Sequence, residues 1–184
     1  MAPSLEFWGS IGGTVLFGEQ ANPQYNGSIT RVGALGELGL AYRSSYFIDP
    51  HLSVAYASLA RGDVHLPAGQ YGPAGDLNQH LAAWLFSPGF TAEIWRLRFR
   101  LGLGFAVVKQ SFTYQNDHSS SSAFAIMHQL GVGFNALDSG SFRLDAEVRA
   151  VVAPGVDMAF LTLNVVARGD IIEFGRSNSQ VSAR

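Results

Sequence analysis

Strict alternation of apolar and polar residues over two long segments is the feature that most limits what this chain can fold into. In the segment 97–107 every odd position holds Leu, Phe or Val, whereas the even positions hold Arg, Gly or Ala. The segment 142–152 repeats the pattern, with apolar residues at even positions and four charged residues at odd positions. Because a β-strand points successive side chains to opposite faces, this period of two predicts strands and is incompatible with a helix.

The same pattern, followed along the whole chain, predicts eight strands. They lie near 4–18, 29–43, 51–62, 78–90, 97–113, 123–136, 142–153 and 157–174. These segments are longer than the roughly 5–6 residues usual in globular domains and reach the roughly 9–11 that a tilted strand needs to cross a bilayer. We therefore expect an all-β fold, an eight-stranded antiparallel up-and-down transmembrane β-barrel. It forms a single domain over 1–175, followed by a polar C-terminal tail at 176–184.

The predicted connections alternate in length. Short turns are expected at 44–50, 91–96 and 137–141, longer loops at 19–28, 63–77 and 110–122, and a tight hairpin near Pro154. Barrels of the bacterial outer membrane combine short periplasmic turns with longer extracellular loops. With an even number of strands, both termini then lie on the short-turn side, which predicts that they are periplasmic.

Composition narrows the class of protein. Hydrophobic residues make up 47% of the 184 residues and charged residues 14%, whereas a soluble domain carries roughly 25% charged residues. A net charge of −2 offers no basic surface for nucleic acid, and the absence of cysteine excludes disulfides and thiolate chemistry. No apolar run is long enough for a transmembrane helix. The first residues do not form a secretory signal, so we expect one to have been removed.

Most charged residues of the predicted strands share one face, opposite the large aliphatic side chains. Two closed barrels fit this division: a soluble lipocalin-like barrel with the aliphatic residues inside, and a membrane barrel with the charges inside. The interior of eight strands has room for few large side chains, and many small residues share the charged face. We therefore expect an interior that is polar, salt-bridged and largely plugged. The predicted interior charge network consists of Glu6, Arg31, Glu37, Arg43, Arg98, Arg100, Arg143, Asp145, Glu147, Arg149, Arg168 and Asp170.

Aromatic residues gather near both ends of the predicted strands, as expected for girdles at the two membrane interfaces. Near the short-turn ends lie Phe7, Tyr42, Tyr46, Phe47, Trp95, Phe142 and Phe174. Near the opposite ends lie Phe17, Phe112, Tyr114, Phe124 and Phe160.

Strand spacing, aromatic girdles and interior charges together resemble the small eight-stranded outer-membrane β-barrels of the OmpA and OmpX type. The resemblance covers nearly the whole chain and is architectural, without a diagnostic motif. It implies the outer membrane of a diderm bacterium, contact with outer-membrane lipids and lipopolysaccharide, and insertion by the outer-membrane assembly machinery. The chain departs from the usual pattern because Phe174 is followed by a polar tail instead of ending on an aromatic residue.

Candidate chemical groups are few. His51-Leu52-Ser53 has the His-x-Ser spacing of lipid A deacylases, but it lies at the predicted periplasmic end. His128 has the parity of lipid-facing residues, and two isolated histidines, His65 and His80, make a weak metal site. We predict no catalytic, cofactor-binding or metal site.

The leading hypothesis is a non-enzymatic barrel that contributes to envelope integrity or to surface interactions through its extracellular loops. The alternatives are a lipid A-modifying enzyme and a soluble lipocalin-like carrier of apolar ligands.

Overall fold

The computed structural model describes residues 3–17, 28–44, 47–66, 74–140 and 142–173. Its strands are β1 (Ser4–Phe17), β2 (Ser28–Thr30), β3 (Val32–Arg43), β4 (Ile48–Leu66), β5 (Gly75–Ile94), β6 (Leu97–Tyr114), β7 (Asp117–Asp138), β8 (Phe142–Ala153) and β9 (Met158–Glu173). A single 3-10 turn, Pro154–Val156, links β8 to β9. Both β2 and β3 pair with β4 and are separated only by Arg31, so together they form one of the eight strands of the barrel.

The strands close into a ring in which neighbours are antiparallel. β1 pairs with β3 on one side and with β9 on the other, and the β4–β5 pairing completes the circle. Closure satisfies backbone hydrogen-bonding groups between strands, which a membrane requires of any chain that crosses it in β-structure. The predicted fold, an eight-stranded antiparallel barrel, is confirmed.

The barrel presents its aliphatic residues outward. Leu101, Leu103 and Leu163 have 59%, 57% and 66% of their surface exposed, whereas Arg100 and Arg149 have 1% and 0%. A lipocalin-like barrel in water would reverse this arrangement, because exposed aliphatic area of this extent is stable only against lipid. The soluble alternative is therefore wrong, and the chain is a membrane barrel. Among the described residues no helix has the length and hydropathy of a membrane span.

Strand structure takes up most of one predicted long loop and both ends of another. β6 and β7 continue to Tyr114 and Asp117, which pair directly and leave a two-residue turn in place of the loop expected at 110–122. β4 and β5 likewise extend into the loop expected at 63–77. Above the membrane both faces of a hairpin meet water, so apolar alternation disappears while the strand continues. The predicted loop 19–28 lies outside the described residues except for Ser28, which begins β2.

One wall of the barrel is therefore taller than the other at the end opposite the short turns. Strands β4 to β7 project together at this end, whereas β8 and β9 are joined there by the short Pro154–Val156 turn. β7 pairs with β8 only from His128 onward, so, among the described residues, 117–127 have a strand partner on the β6 side alone, with the Pro154–Val156 turn close to Ala125. We call the projecting parts of β4 to β7 the tall wall.

The lipid-facing orientation can be tested at Leu103, since the chain has no native cysteine. A fluorophore on Leu103→Cys should be quenched by nitroxide-labelled lipid and not by aqueous iodide, because this side chain points outward near the middle of β6. A matched probe on Ser121→Cys, exposed on the tall wall, should give the opposite result. Iodide quenching at position 103 would contradict the membrane assignment.

Candidate functional site: the barrel interior

The inward faces of the strands divide the interior into two layers. In the half nearer the short turns, charged side chains from β1, β3, β5, β6, β8 and β9 meet. In the half nearer the tall wall, buried apolar side chains fill the ring. These two layers are the candidate functional site, because they contain the buried ionisable groups and the buried apolar cluster of the barrel.

The central group of charges alternates in sign around Glu37. Arg149 Nη1 lies 2.6 Å from Glu37 Oε2, and Arg100 Nη1 lies 3.3 Å from the same oxygen. Glu147 joins both arginines, with its Oε1 2.5 Å from Arg149 Nη2 and its Oε2 3.4 Å from Arg100 Nε. All four side chains are buried. Each charge has two opposite neighbours, which is the arrangement that offsets the cost of removing ions from water.

A second group, nearer the short turns, centres on Glu6 and Asp145. Arg168 Nε lies 2.7 Å from Asp145 Oδ2, and Arg168 Nη1 lies 3.2 Å from Glu6 Oε2. Arg98 bridges the same two acids at 3.6 Å and 3.5 Å, and Arg143 Nη1 lies 3.2 Å from Glu6 Oε2. The four strands that supply these residues, β1, β6, β8 and β9, are thus connected across the interior.

The charges continue to the mouth between the short turns. Arg43 Nη2 lies 3.3 Å from Glu93 Oε2, Arg143 Nη2 lies 3.5 Å from Asp170 Oδ2, and Arg168 also contacts Glu93. Arg43, Glu93, Arg143 and Asp170 retain partial contact with solvent, and the first three line an open cavity of about 490 Å³. The mouth is therefore an open, charged entrance at the short-turn end, and the two buried groups of charges lie farther inside the barrel.

The indole ring of Trp8 lies among the buried charges and contacts the Arg100 guanidinium. The Arg100 guanidinium lies 3.9 Å from the centre of its indole ring, and Arg98 lies 6.0 Å from it. A Cβ at Gly39 would overlap the indole ring, so glycine is needed opposite Trp8. A cation over an aromatic face is attracted by the ring quadrupole. The sequence prediction does not include Trp8, because it rests on charged and small residues, although Trp8 shares the parity of Glu6.

The structure places the predicted charged residues inside the ring, with the exception of Arg31. Arg31 is exposed and lies between β2 and β3, where the pairing with β4 changes register. β4 also has an irregularity between Ser58 and Ala60, and such a bulge interrupts the alternation on which parity depends. Glu93, which falls within the predicted short turn 91–96, joins the network unpredicted. Its signal was the shared parity with Thr91.

The layer toward the tall wall is mainly apolar, which corrects the expectation of an interior of charged and small residues. Leu59, Met127, Val151 and Phe160 have at most 1% of their surface exposed and belong to one buried cluster. Phe160 was predicted to lie in an outer girdle, but it has the inward parity of Arg168 on β9. Among the other girdle residues, Tyr46 and Phe174 lie outside the described residues.

The remaining girdle residues divide by exposure. Phe7, Tyr42, Phe47, Trp95 and Phe142 are exposed near the short turns. Toward the tall wall Phe17 and Phe124 are exposed, whereas Phe112 and Tyr114 are half-buried. Both ends of the barrel thus carry outward aromatic residues.

The histidine and serine candidates do not assemble into a catalytic group. His51 and Ser53 point into the barrel, where Thr91 Oγ1 lies 3.4 Å from His51 Nδ1 and Ser53 donates to the Ser87 carbonyl. His128 is exposed on the outer face of β7, opposite Leu103. On the tall wall His65 pairs with Asp76, and the described residues hold no cluster of three metal-ligating side chains.

A closed ring of eight antiparallel strands with an aliphatic exterior and enclosed ion pairs defines a small transmembrane β-barrel. No family model matches the chain, and no curated protein matches its sequence. Among solved structures it is similar to Ail of Yersinia pestis, in a complex with the heparin analogue sucrose octasulfate. The TM-score is 0.60 and the identity 13%, over 92% of this chain and 99% of that one.

A second similar structure is Neisserial surface protein A. The TM-score is 0.53 and the identity 11%, over 93% of this chain and 100% of the other. A further structure of Ail, without the ligand in its description, gives a TM-score of 0.58 at 15% identity, over 92% and 97% of the two chains. The chain thus has the fold of the small eight-stranded outer-membrane barrels, and at these identities the likeness concerns the fold alone.

The enclosed pairs predict a large stability cost when one partner is removed. Glu37→Leu leaves Arg100 and Arg149 short of an opposite charge inside the barrel, which should lower the free energy of unfolding by about 3–5 kcal/mol. Asp63→Leu, at an exposed position, is the matched control and should change it by about 0.5 kcal/mol or less. Urea titration in detergent micelles measures both, and equal losses would contradict the ion-pair account.

Proposed function

We propose that the chain is a non-enzymatic integral protein of the outer membrane of a diderm bacterium. In this proposal the short turns and the termini face the periplasm, and the tall wall stands outside the cell. The barrel serves as an anchor, and the tall wall takes part in surface interactions. Outer-membrane lipids, lipopolysaccharide and the assembly machinery are the partners that such a location implies.

The free edge of β7 is the observation that carries the surface role. Residues 117–127 pair with β6 and have no strand on their other side among the described residues. An unpaired edge exposes backbone N–H and C=O groups that can accept a further strand from another chain. The side chains near its tip, Ser119 to Ser122, are small and exposed, so they leave the backbone accessible. Envelope integrity alone would not need such a projection.

The interior supports an anchoring role in preference to a transport role. Buried ion pairs lie in one half of the ring and a buried apolar cluster in the other, and both would oppose the passage of a hydrated solute. The positions of His51 and Ser53 support a non-enzymatic reading, because each is hydrogen-bonded to the barrel wall and not to the other. The names of similar structures, a surface protein and a barrel with a bound heparin analogue, agree with a role at the cell surface.

Single cysteines on the two ends test the proposed orientation. In intact bacteria a membrane-impermeant maleimide should label Ser121→Cys at the tip of the tall wall. Trp95→Cys, in the turn between β5 and β6, should be labelled only after the outer membrane is permeabilised. Labelling of Trp95→Cys alone in intact cells would put the tall wall in the periplasm and remove the surface role.

A further inference from the structure

The exposed cations of the barrel are distributed unevenly. Within the described residues the exposed arginine and lysine side chains are Arg31, Arg61, Arg96 and Lys109. Arg96 lies in the two-residue turn between β5 and β6, at the short-turn end. The other three lie at the opposite end, on the contiguous wall formed by β2, β4, β5 and β6.

The strand register puts two of these cations on one outward face. Arg61 is directly paired with His80, and Ala82 is directly paired with Lys109. Directly paired residues share a face, as do residues two apart on one strand. Arg61, His80 and Lys109 therefore point the same way, and all three lie on the face of exposed Trp84, since His80, Ala82 and Trp84 are two residues apart. From the spacing of the strands and the rise per residue, the Cα atoms of Arg61 and Lys109 are about 12 Å apart.

Aromatic residues lie immediately below these cations on the same outward face. Tyr56 and Trp84 are in contact with ring centres 5.0 Å apart, and Phe105 stacks between Phe86 at 4.8 Å and Phe124 at 5.3 Å. Aromatic belts mark the level of the lipid head groups. Arg61 and Lys109 thus stand at the head-group level or just beyond it.

Neither cation has an ion-pair partner in the part of the chain that the structure describes. No hydrogen bond or ion pair joins Arg61 or Lys109 to any described side chain, whereas the nearby His65 and Asp76 pair with each other at 2.8 Å. The acidic residue next to Arg61 on its face, Asp63, is two residues farther from the aromatic belt. Beside Lys109, β7 contributes Ser122, a direct cross-strand partner and hydroxyl donor. On the opposite wall, the β8–β9 connection carries Asp157 and no cation.

We propose that Arg61 and Lys109, with His80 between them and Ser122 beside Lys109, bind the phosphate groups of lipid A in the outer leaflet. This inference rests on the proposed function for the outward direction of the tall wall. Guanidinium and ammonium groups are the side chains that hold phosphate best, Arg by paired hydrogen bonds and Lys as a point charge. Because the two cations lie only on the tall wall, this wall would bind lipopolysaccharide, whereas the side formed by β8 and β9 would not.

The test uses the whole purified protein in zwitterionic detergent micelles and measures binding of lipid A by titration calorimetry. The double variant Arg61→Gln/Lys109→Gln should bind lipid A at least tenfold more weakly than the original protein, and its affinity should depend less on salt. Arg96→Gln, the exposed arginine at the other end, is the matched control and should bind as the original protein does. Lipid A stripped of its phosphates should bind equally weakly to all three proteins.

Three results would overturn the proposal. The double variant could bind lipid A as tightly as the original protein, phosphate-free lipid A could bind as tightly as lipid A, or phosphatidylglycerol could match lipid A with the same dependence on Arg61 and Lys109. The heat-dependent gel mobility of each variant verifies that the barrel has folded. Failure here is distinguishable from failure of the proposed function, because the cysteine labelling of the two barrel ends does not depend on lipid A binding.

Discussion

Enclosed charges that must neutralise one another are the interaction on which the rest of this structure depends. Arg149 and Glu37, 2.6 Å apart, are shielded from both water and lipid, and neither is stable there without the other. The partners come from strands remote in sequence, as in the contact between Arg168 and Glu6, so the network ties the ring together. When the charged face of each strand points into the barrel, its aliphatic face must point outward and contact the bilayer.

Much of this could be read from the sequence because the alternation over 97–107 and 142–152 leaves each strand only two orientations. The limited interior volume then selects the one with Arg98, Arg100 and Glu147 inside. Individual partners could not be predicted, since pairing across the ring depends on the stagger between strands, which periodicity does not contain. The length of the β6–β7 hairpin could not be predicted for a different reason. Beyond the bilayer both of its faces contact water, and a strand that is polar on both faces has the composition of a loop.

The remaining differences have local causes. Arg31 is exposed where the pairing with β4 changes register between β2 and β3, beside an irregular part of β4. The apolar layer around Phe160 and Met127 is not evident from the charged and small residues on which the prediction of the inward face rests. The interior therefore has two parts, a layer of ion pairs and a mainly apolar layer that also contains the buried hydroxyl groups of Thr14 and Thr162. We expect an ion that enters from the mouth to be opposed by both.

The direct measure of this account is the conductance of the reconstituted protein in a planar lipid bilayer. Because mutually neutralised charges and a buried apolar cluster occupy the interior, we expect no steady porin-like current at any voltage that the bilayer tolerates. Small flickering currents would agree with transient openings. Large and stable open-channel currents would contradict the claim that ion pairs and apolar packing close the interior.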